Sequence, residues 1–200
     1  MRSATPRPAP KSPSARAPSA ASFAAAADDA TFTLGRDHWA TEEILRESGL
    51  AFTFLRDSFY LDMFELFAGD DRVIRGPAGD GRVAAVARAD VARVAAAVLQ
   101  DAVAHRNITY TLTGPQALTL EEIAATLTEV RGEPFRYVDE TLAEAHASRA
   151  AWGAPDWQVE AWISTYTSIA SGVLAPVTDD VERVTGTAPL TLEQLLRTGA

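Results

Sequence analysis

The sequence has no cysteine, a single lysine (Lys11) and no long apolar run, and these shortages narrow the possible classes of protein. Without cysteine, the 200-residue chain forms neither disulfides nor thiolate metal sites. No apolar stretch approaches the roughly 18–20 residues that a membrane-spanning helix needs. His105 and His146 have no partner at ligand spacing. We therefore predict no metal site and no membrane partner.

Positive charge is also in short supply. Lys and Arg total 18 against 27 Asp and Glu, which gives a formal net charge of −9 and a pI near 4.8. Nucleic acids and anionic membranes select clustered basic residues, so the balance predicts no nucleic-acid partner. An apolar content of 47% is sufficient for one sizeable core. The composition is that of an ordinary cytoplasmic protein.

The first 20 residues, MRSATPRPAPKSPSARAPSA, differ from the rest of the chain. After Met1 they contain no aromatic or large aliphatic side chain, and they carry basic residues without any acid. Such a segment cannot bury enough apolar surface to offset the entropy cost of folding, so residues 1–20 are predicted to be a disordered tail. A misplaced start of the reading frame would explain the segment equally well. A transit peptide stays open as an alternative, although the prolines oppose the amphipathic helix that it needs.

Beyond the tail, apolar periodicity predicts strands that alternate with helices. The strands are predicted at 51–56, 82–87, 108–114 and 135–139, and a short helix or ordered loop at 58–68. The helices are predicted at 29–48, 90–100, 120–131, 141–171 with a break at 153–155, and 191–198. Asp29 is the predicted cap of the first helix and Gly49 its stop, while Thr119 and Glu122 form a capping box. The alternation indicates an α/β fold with parallel strand pairing.

Three segments carry a family resemblance, in the family's order and spacing. They are HWATEEILRESGLAFTFLRDSFYLD, GRVAAVARADVARVAAAVL and YTLTGPQALTLEEIAATL. Together they resemble the NmrA-like branch of the atypical short-chain dehydrogenases, and within it the NAD(P)H:quinone oxidoreductases of the second type. The segment ASRAAWGAPDWQVEAWISTYTSIASG is similar to the substrate-side helices of bacterial relatives. The resemblance covers roughly residues 22–200.

The resemblance implies an α/β, partial Rossmann-like NAD(P)-binding fold over residues 21–200. It also implies a small helical substrate-side region at about 140–175. The expected cofactor is NADP or NAD, and the expected reaction is hydride transfer to a quinone or a similar small-molecule acceptor. A non-catalytic NAD(P)-sensing protein is the alternative, because the NmrA-like branch also includes regulators that bind NAD(P) without turnover.

The family's glycine loop, which holds the pyrophosphate at a helix N-terminus, has no counterpart in this sequence. Residues 76–81, GPAGDG, lie between two extended segments, so they are predicted to form a turn rather than a phosphate loop. We therefore expect the chain to match the C-terminal two thirds of such an enzyme. On that expectation it could be a truncated, inactive fragment that self-associates through an exposed sheet edge.

Matching helix ends to the family places Leu34 and His38 at the positions of the usual catalytic Tyr and Lys. Leu34 cannot transfer a proton, so the standard mechanism does not carry over. His38 is the first catalytic candidate, because the ordinary pKa of histidine suits proton transfer near neutral pH. The alternative is a solvated histidine near the start of a helix.

The loop after the strand 51–56 supplies the second set of candidates, because ligands bind beyond the carboxyl ends of parallel strands. The family resemblance implies that this loop faces the nicotinamide and the substrate. Arg56, Asp57 and Ser58 are the cofactor-binding candidates, Tyr60 is a catalytic candidate and Phe59 a substrate contact. The alternative for Phe59 and Tyr60 is packing against the C-terminal helices.

Aromatic residues recur every four to five positions along the last long helical stretch, at Trp152, Trp157, Trp162 and Tyr166. Trp152 and Trp157 are the predicted wall of a substrate pocket. The same spacing is typical of an amphipathic helix that packs on the core, which is the alternative.

Overall fold

The computed structural model describes residues 19–199, so residues 1–18 of the predicted tail and Ala200 lie outside the described residues. The strands are β1 (Ser19–Phe23), β2 (Thr53–Asp57), β3 (Val73–Gly76), β4 (Arg82–Val83), β5 (Ile108–Leu112), β6 (Leu118–Thr119) and β7 (Arg136–Asp139). The helices are α1 (Thr33–Glu47), α2 (Phe64–Phe67), α3 (Arg88–Gln100), α4 (Leu120–Arg131), α5 (Leu142–Arg149), α6 (Asp156–Ala170), α7 (Asp180–Thr185) and α8 (Leu192–Thr198). Short 3-10 helices span Leu61–Met63 and Ala150–Trp152.

The main sheet is parallel, in the order β1-β2-β5, which confirms the α/β prediction. Strand β1 was not predicted, and it corrects the tail boundary, since Ser19 and Ala20 already pair with Thr53 and Phe54. Its sequence, SAASF, lacks the β-branched residues that usually mark a strand. The pairing with β2, rather than local propensity, therefore accounts for β1.

Two small sheets stand beside the main one and correct the predicted strand pairing. Strand β3 pairs with β7 in parallel, and β4 pairs with β6 in antiparallel fashion. The predicted strand 82–87 is thus reduced to Arg82–Val83. The backbone of residues 84–86 instead forms hydrogen bonds to two other segments. The Ala84 amide donates to the carbonyl of Leu174, in the loop after α6, and the Val86 amide donates to the carbonyl of Phe59, in the segment after β2.

The start of helix α1 also differs from the prediction. The helix begins at Thr33 after Phe32, and Asp29 lies in the preceding loop. No side chain of α1 itself caps the first turn. The Thr33 amide donates instead to Ser164 Oγ of α6, 3.1 Å away, so a distant helix satisfies it. The end agrees with the prediction, because Gly49 follows with a φ of 71°.

The remaining helices follow the sequence signals closely. Thr119 and Glu122 make both hydrogen bonds of a capping box on α4, and Thr141 and Thr191 begin α5 and α8 in the same way. The predicted helical stretch 141–171 breaks near Gly153 as expected. The short helix α7 was not predicted. Among residues 19–199, no helix combines the length and apolar content that crossing a membrane requires.

The turn at 76–81 joins β3 to β4, so it does not open a helix, as predicted. It packs tightly against α6. A Cβ on Gly76 would lie 2.3 Å from the Tyr166 ring, and one on Gly81 would lie 2.4 Å from the Ile169 carbonyl oxygen. Glycine is therefore required here for close packing between the turn and the helix.

Candidate functional site

The carboxyl ends of β1, β2 and β5 meet at one edge of the main sheet. The backbone continues the pairing for one more residue past the strands: Ala24 N donates to Asp57 O at 2.9 Å, and Ser58 N donates to Leu112 O at 3.0 Å. Ligands of parallel α/β sheets bind beyond this edge. Asp57, Ser58 and the residues that follow them are therefore held in the position where the sequence predicted a site.

The loop after β2 is fixed by backbone hydrogen bonds to a neighbouring segment. Val86 N donates to Phe59 O at 2.9 Å, and Leu61 N donates to Val86 O at 3.0 Å. Tyr60 forms an isolated parallel bridge with Val86, which is itself fully buried. The side chains of Phe59 and Tyr60 are thus presented by a rigid backbone rather than by a free loop.

Asp57 and Tyr60 form a hydrogen-bonded pair at this edge. The Tyr60 hydroxyl donates to Asp57 Oδ2 at 3.0 Å. Burial raises the pKa of the Asp57 carboxyl to about 6, although the bond from Tyr60 works against this rise. Burial and the neighbouring Asp57 raise the pKa of Tyr60 to about 12. Tyr60 therefore remains a hydrogen-bond donor at neutral pH, while Asp57 changes charge close to it.

Two buried polar atoms at this site have no hydrogen-bond partner within the described part of the chain. They are Asp57 Oδ1 and Ser58 Oγ, and both residues are only 3% exposed. Buried polar groups are nearly always paired, and each exception needs an explanation. The side chains of two adjacent residues thus offer an acceptor and a hydroxyl that the protein does not use itself.

Aromatic side chains surround this edge and bring His38 towards it. The Phe23 ring, at the end of β1, lies 5.2 Å from Phe59 and 6.5 Å from His38, between ring centroids. Phe32 contacts both Phe23 and Phe59, at 4.7 and 5.2 Å. His38, on α1, is partly exposed beside this cluster. The structure therefore places His38 and Phe59 on one aromatic cluster. Phe59 immediately precedes Tyr60 in the chain.

Arg56 lies on the other face of the sheet. Successive strand residues point to opposite faces, so Arg56 and Asp57 diverge. The Arg56 guanidinium donates twice to Glu42, from Nε at 2.8 Å and from Nη2 at 2.7 Å. Its predicted cofactor contact stays a prediction, but in the structure its hydrogen bonds join β2 to α1.

Glu42 is the important residue that the sequence reasoning missed. It is 1% exposed and also accepts from Ser22 Oγ at 2.5 Å and Arg46 Nη2 at 2.8 Å. Burial opposes its ionisation, but the bonds from Arg56 and Ser22 prevail and lower the pKa of Glu42. The only available signal was an acid on the inner face of α1, which does not reveal a partner 14 residues away.

The two predicted pocket tryptophans have different surroundings. Trp152 lines two adjoining hollows of about 350 and 310 Å³ between α2 and α6, with its ring 5.2 Å from Trp162. Trp157 is 66% exposed and lines neither hollow. Phe59 likewise lines neither hollow, so of the three predicted substrate contacts only Trp152 borders them, and the substrate contacts of Phe59 and Trp157 stay predictions. Among residues 19–199, no cluster of His, Asp and Glu is suited to a metal ion.

No protein-family model matches the chain. Individual relatives do match. The chain is 33% identical over 179 residues to the NAD(P)H azoreductase of Xenophilus azovorans. The matched region covers 88% of this chain and 62% of the relative. It is 28% identical to an NmrA-like family domain-containing oxidoreductase of Aspergillus flavus, over 84% of this chain and 56% of the relative.

A third relative is similar in both sequence and structure. Quinone oxidoreductase 2 of Escherichia coli K12 is 35% identical over 133 residues, which covers 65% of this chain and 46% of the relative. The crystal structure of this NADPH-dependent enzyme complexed with NADPH superposes with a TM-score of 0.80 at 29% identity. The match covers 90% of this chain and 64% of the other. The chain thus spans about half to two thirds of the length of these relatives, and its fold is that of Rossmann-like NAD(P)-binding reductases.

Proposed function

Because the chain is homologous to NAD(P)H-dependent oxidoreductases of the NmrA-like and quinone oxidoreductase 2 type, we propose that it takes part in hydride transfer from NAD(P)H to a quinone or similar acceptor. The observation that carries the proposal is the group at the carboxyl end of β2. There Asp57, Ser58 and Tyr60 combine a titratable carboxyl, an unpaired hydroxyl and a fixed phenol.

These residues fit one end of the cofactor. Ser58 Oγ and Asp57 Oδ1 can bond a ribose or carboxamide group, and the rings of Phe23 and Phe59 offer apolar contact to a flat ring system. The pyrophosphate has no comparable site among residues 19–199. Of the glycines described, those at 76–81 join two strands, and the segment from 24 to 32 before α1 contains none. We therefore assign only the nicotinamide end to these residues.

The proton supply is the part of the reaction that this chain's residues can perform. When bound, NAD(P)H supplies a hydride, which is two electrons and one proton, and reduction of a quinone to a hydroquinone needs one further proton. Tyr60 is the group proposed to bond the acceptor oxygen. Asp57, with a pKa of about 6, is the group proposed to return a proton to it across their 3.0 Å hydrogen bond.

His38 is the second candidate for proton supply, because its ring is partly exposed beside Phe23. Phe59 is proposed as the substrate contact, since it lies next to Tyr60 in the chain and its ring faces the same cluster. Acceptors of this class are flat and conjugated, and they pack well against such rings.

A non-catalytic NAD(P) sensor is the second candidate function. Leu34, at the position of the family's usual catalytic tyrosine, is 38% exposed and has no group that could exchange a proton. Tyr60, with a pKa of about 12, does not replace that tyrosine as a base. A sensor would need the hydrogen bonds of this site but not its proton chemistry.

The test combines cofactor binding with turnover. NADPH affinity is measured by titration calorimetry, and NADPH oxidation is followed at saturating 1,4-naphthoquinone for the unchanged protein and for Tyr60→Phe. Loss of the phenol should lower kcat at least about tenfold, because positioned proton transfer contributes that much or more, and should leave NADPH affinity nearly unchanged.

Tyr110→Phe is the matched control. Tyr110 is buried and Tyr60 half-buried, but the Tyr110 hydroxyl bonds His105, which precedes β5 and lies towards the other end of the strands. This variant should keep the kcat of the unchanged protein. NADPH binding without oxidation of any quinone or azo acceptor would favour the sensor, and absence of NADPH binding would contradict both functions.

A further inference from the structure

A second candidate site lies between α2 and α6, away from Asp57 and Tyr60. Two adjoining hollows of about 350 and 310 Å³ share five lining residues: Phe67, Gly69, Arg149, Trp152 and Tyr166. These volumes lie at the lower end of the range for small-molecule pockets, large enough for one or two rings. No residue of the Asp57–Tyr60 loop lines either hollow.

Four aromatic side chains line the two hollows: Phe67, Trp152, Trp162 and Tyr166. Trp152 contacts the edge of Trp162 at 5.2 Å with the two rings 78° apart, and Phe67 lies 6.4 Å from Tyr166. Trp152 is nevertheless 63% exposed, and Leu66 beside it is 68% exposed. Apolar side chains exposed together around a hollow indicate a surface that a ligand can cover.

A buried cation lies in the wall that the two hollows share. Arg149 is 5% exposed, and its guanidinium lies 5.3 Å from the centre of the Tyr166 ring. It donates from Nη1 to Glu140 Oε2 at 2.9 Å and to Ala145 O and Ser148 Oγ at 3.0 Å, and from Nη2 to the Arg75 carbonyl at 3.0 Å. These bonds use Nη1 fully and fix the orientation of the planar group, so the donors left for a ligand are the Nε N–H and one N–H of Nη2.

Every charged side chain of the lining is paired, so a negative ligand would be held by hydrogen bonds rather than by net charge. Asp71 and Arg75 line the first hollow and pair with each other at 2.5 Å, and Arg149 pairs with Glu140 at 2.9 Å. Glu140, its partner, does not line either hollow. A carboxylate is the group that a guanidinium binds best in such a setting.

From the aromatic walls, the size and Arg149, we propose that these hollows bind a planar aromatic carboxylate of one or two fused rings. The ring packs between Trp152 and the side chains of α2 and α6, and the carboxylate accepts from Arg149. This site is independent of the proposed oxidoreductase function, because it requires no nicotinamide cofactor.

Titration calorimetry with 2-naphthoate, without any nucleotide, tests the proposal. The expected result is saturable 1:1 binding at or below about 1 mM. Trp152→Ala should weaken it at least about tenfold, because an aromatic wall is lost. Trp157→Ala is the matched control: Trp157 is equally exposed but lines neither hollow, so affinity should be unchanged.

Cyclohexanecarboxylate, which has the charge without the flat ring, should bind at least about tenfold more weakly than 2-naphthoate. Absence of saturable binding to the unchanged protein would overturn the proposal. Equal effects of the two tryptophan substitutions would overturn it as well, since they would indicate non-specific adsorption. Thermal unfolding of both variants checks that each remains folded, as expected for changes at exposed positions.

Discussion

At the residue scale, the Asp57 carboxyl couples the candidate site to the stability of the fold. It is buried, it holds the Tyr60 hydroxyl, and one of its oxygens has no partner in the described part of the chain. Such groups are costly to keep charged, and proteins retain them where they serve a function. The cost should be measurable as a dependence of stability on pH.

Burial raises the pKa of Asp57 from 3.8 to about 6, so the folded protein binds this proton more tightly than the unfolded chain does. The stabilisation is fully present below about pH 4 and is lost as pH rises through about 6. Asp57→Asn removes the titration. Its free energy of unfolding relative to the unchanged protein should therefore rise between pH 4 and pH 7, by at most about 3 kcal/mol.

Urea unfolding of both proteins at several pH values measures this difference. Asp29→Asn is the control, because Asp29 is exposed and its replacement should change stability by less than about 0.5 kcal/mol at each pH. A difference for Asp57→Asn that does not vary with pH would show that the carboxyl has an ordinary pKa in the folded protein.

At the scale of elements, two side chains of β7 add to the backbone hydrogen bonds that hold the turn between β3 and β4. Tyr137 Oη accepts from Ala78 N at 3.0 Å and lies 2.7 Å from the Gly76 carbonyl oxygen, to which it donates. Asp139 accepts from Gly79 N at 2.9 Å. Burial, with a smaller effect of Asp139, raises the pKa of Tyr137, so the phenol keeps its proton.

Tyr137→Phe should lower the free energy of unfolding by about 0.5–1.5 kcal/mol, because it removes the hydroxyl that bonds the Ala78 amide and the Gly76 carbonyl, which then keep only their backbone partners. Hydrogen exchange at the Ala78 amide should also become faster. Arg136→Ala, an exposed change on the same strand, should have an effect below about 0.5 kcal/mol. Equal exchange rates at Ala78 in both variants would mean that the backbone alone holds the turn.

At the scale of the whole molecule, strand β1 forms one edge of the three-stranded sheet within residues 19–199. It pairs with β2 on one side only. An edge strand offers unpaired backbone groups and is a template for pairing with another chain. The self-association predicted from the sequence stays a prediction, and β1 is the strand at which we expect it.

Light scattering after size exclusion should show a molar mass above 21.4 kDa that increases with protein concentration. Ala21→Lys places a charge at an exposed position of β1 and should shift the protein towards the monomer. Ala151→Lys, an exposed change on the 3-10 helix after α5, should have no such effect. A monomer at every concentration would contradict association through this edge.

Much of the fold follows from local sequence. The capping box of Thr119 and Glu122, the break at Gly153 and the start of α8 at Thr191 are local in origin, since each depends on bonds within a few residues. The strand after α1 and the position of Asp57 and Tyr60 beyond it were predictable in the same way. A short apolar run followed by polar and aromatic residues is visible without knowledge of any distant contact.

Tertiary structure decided the features that depend on partners far apart in the chain. The strand SAASF has weak propensity and exists through its pairing with β2. The start of α1 depends on Ser164, and the bonds of Arg56 to Glu42 join β2 to α1. The sequence alone determined most of the helical segments, apart from α7, and where the polar loop follows β2. It did not determine which side chains share a face or a hollow, because those contacts join residues separated by up to 131 positions and form only when the chain has packed.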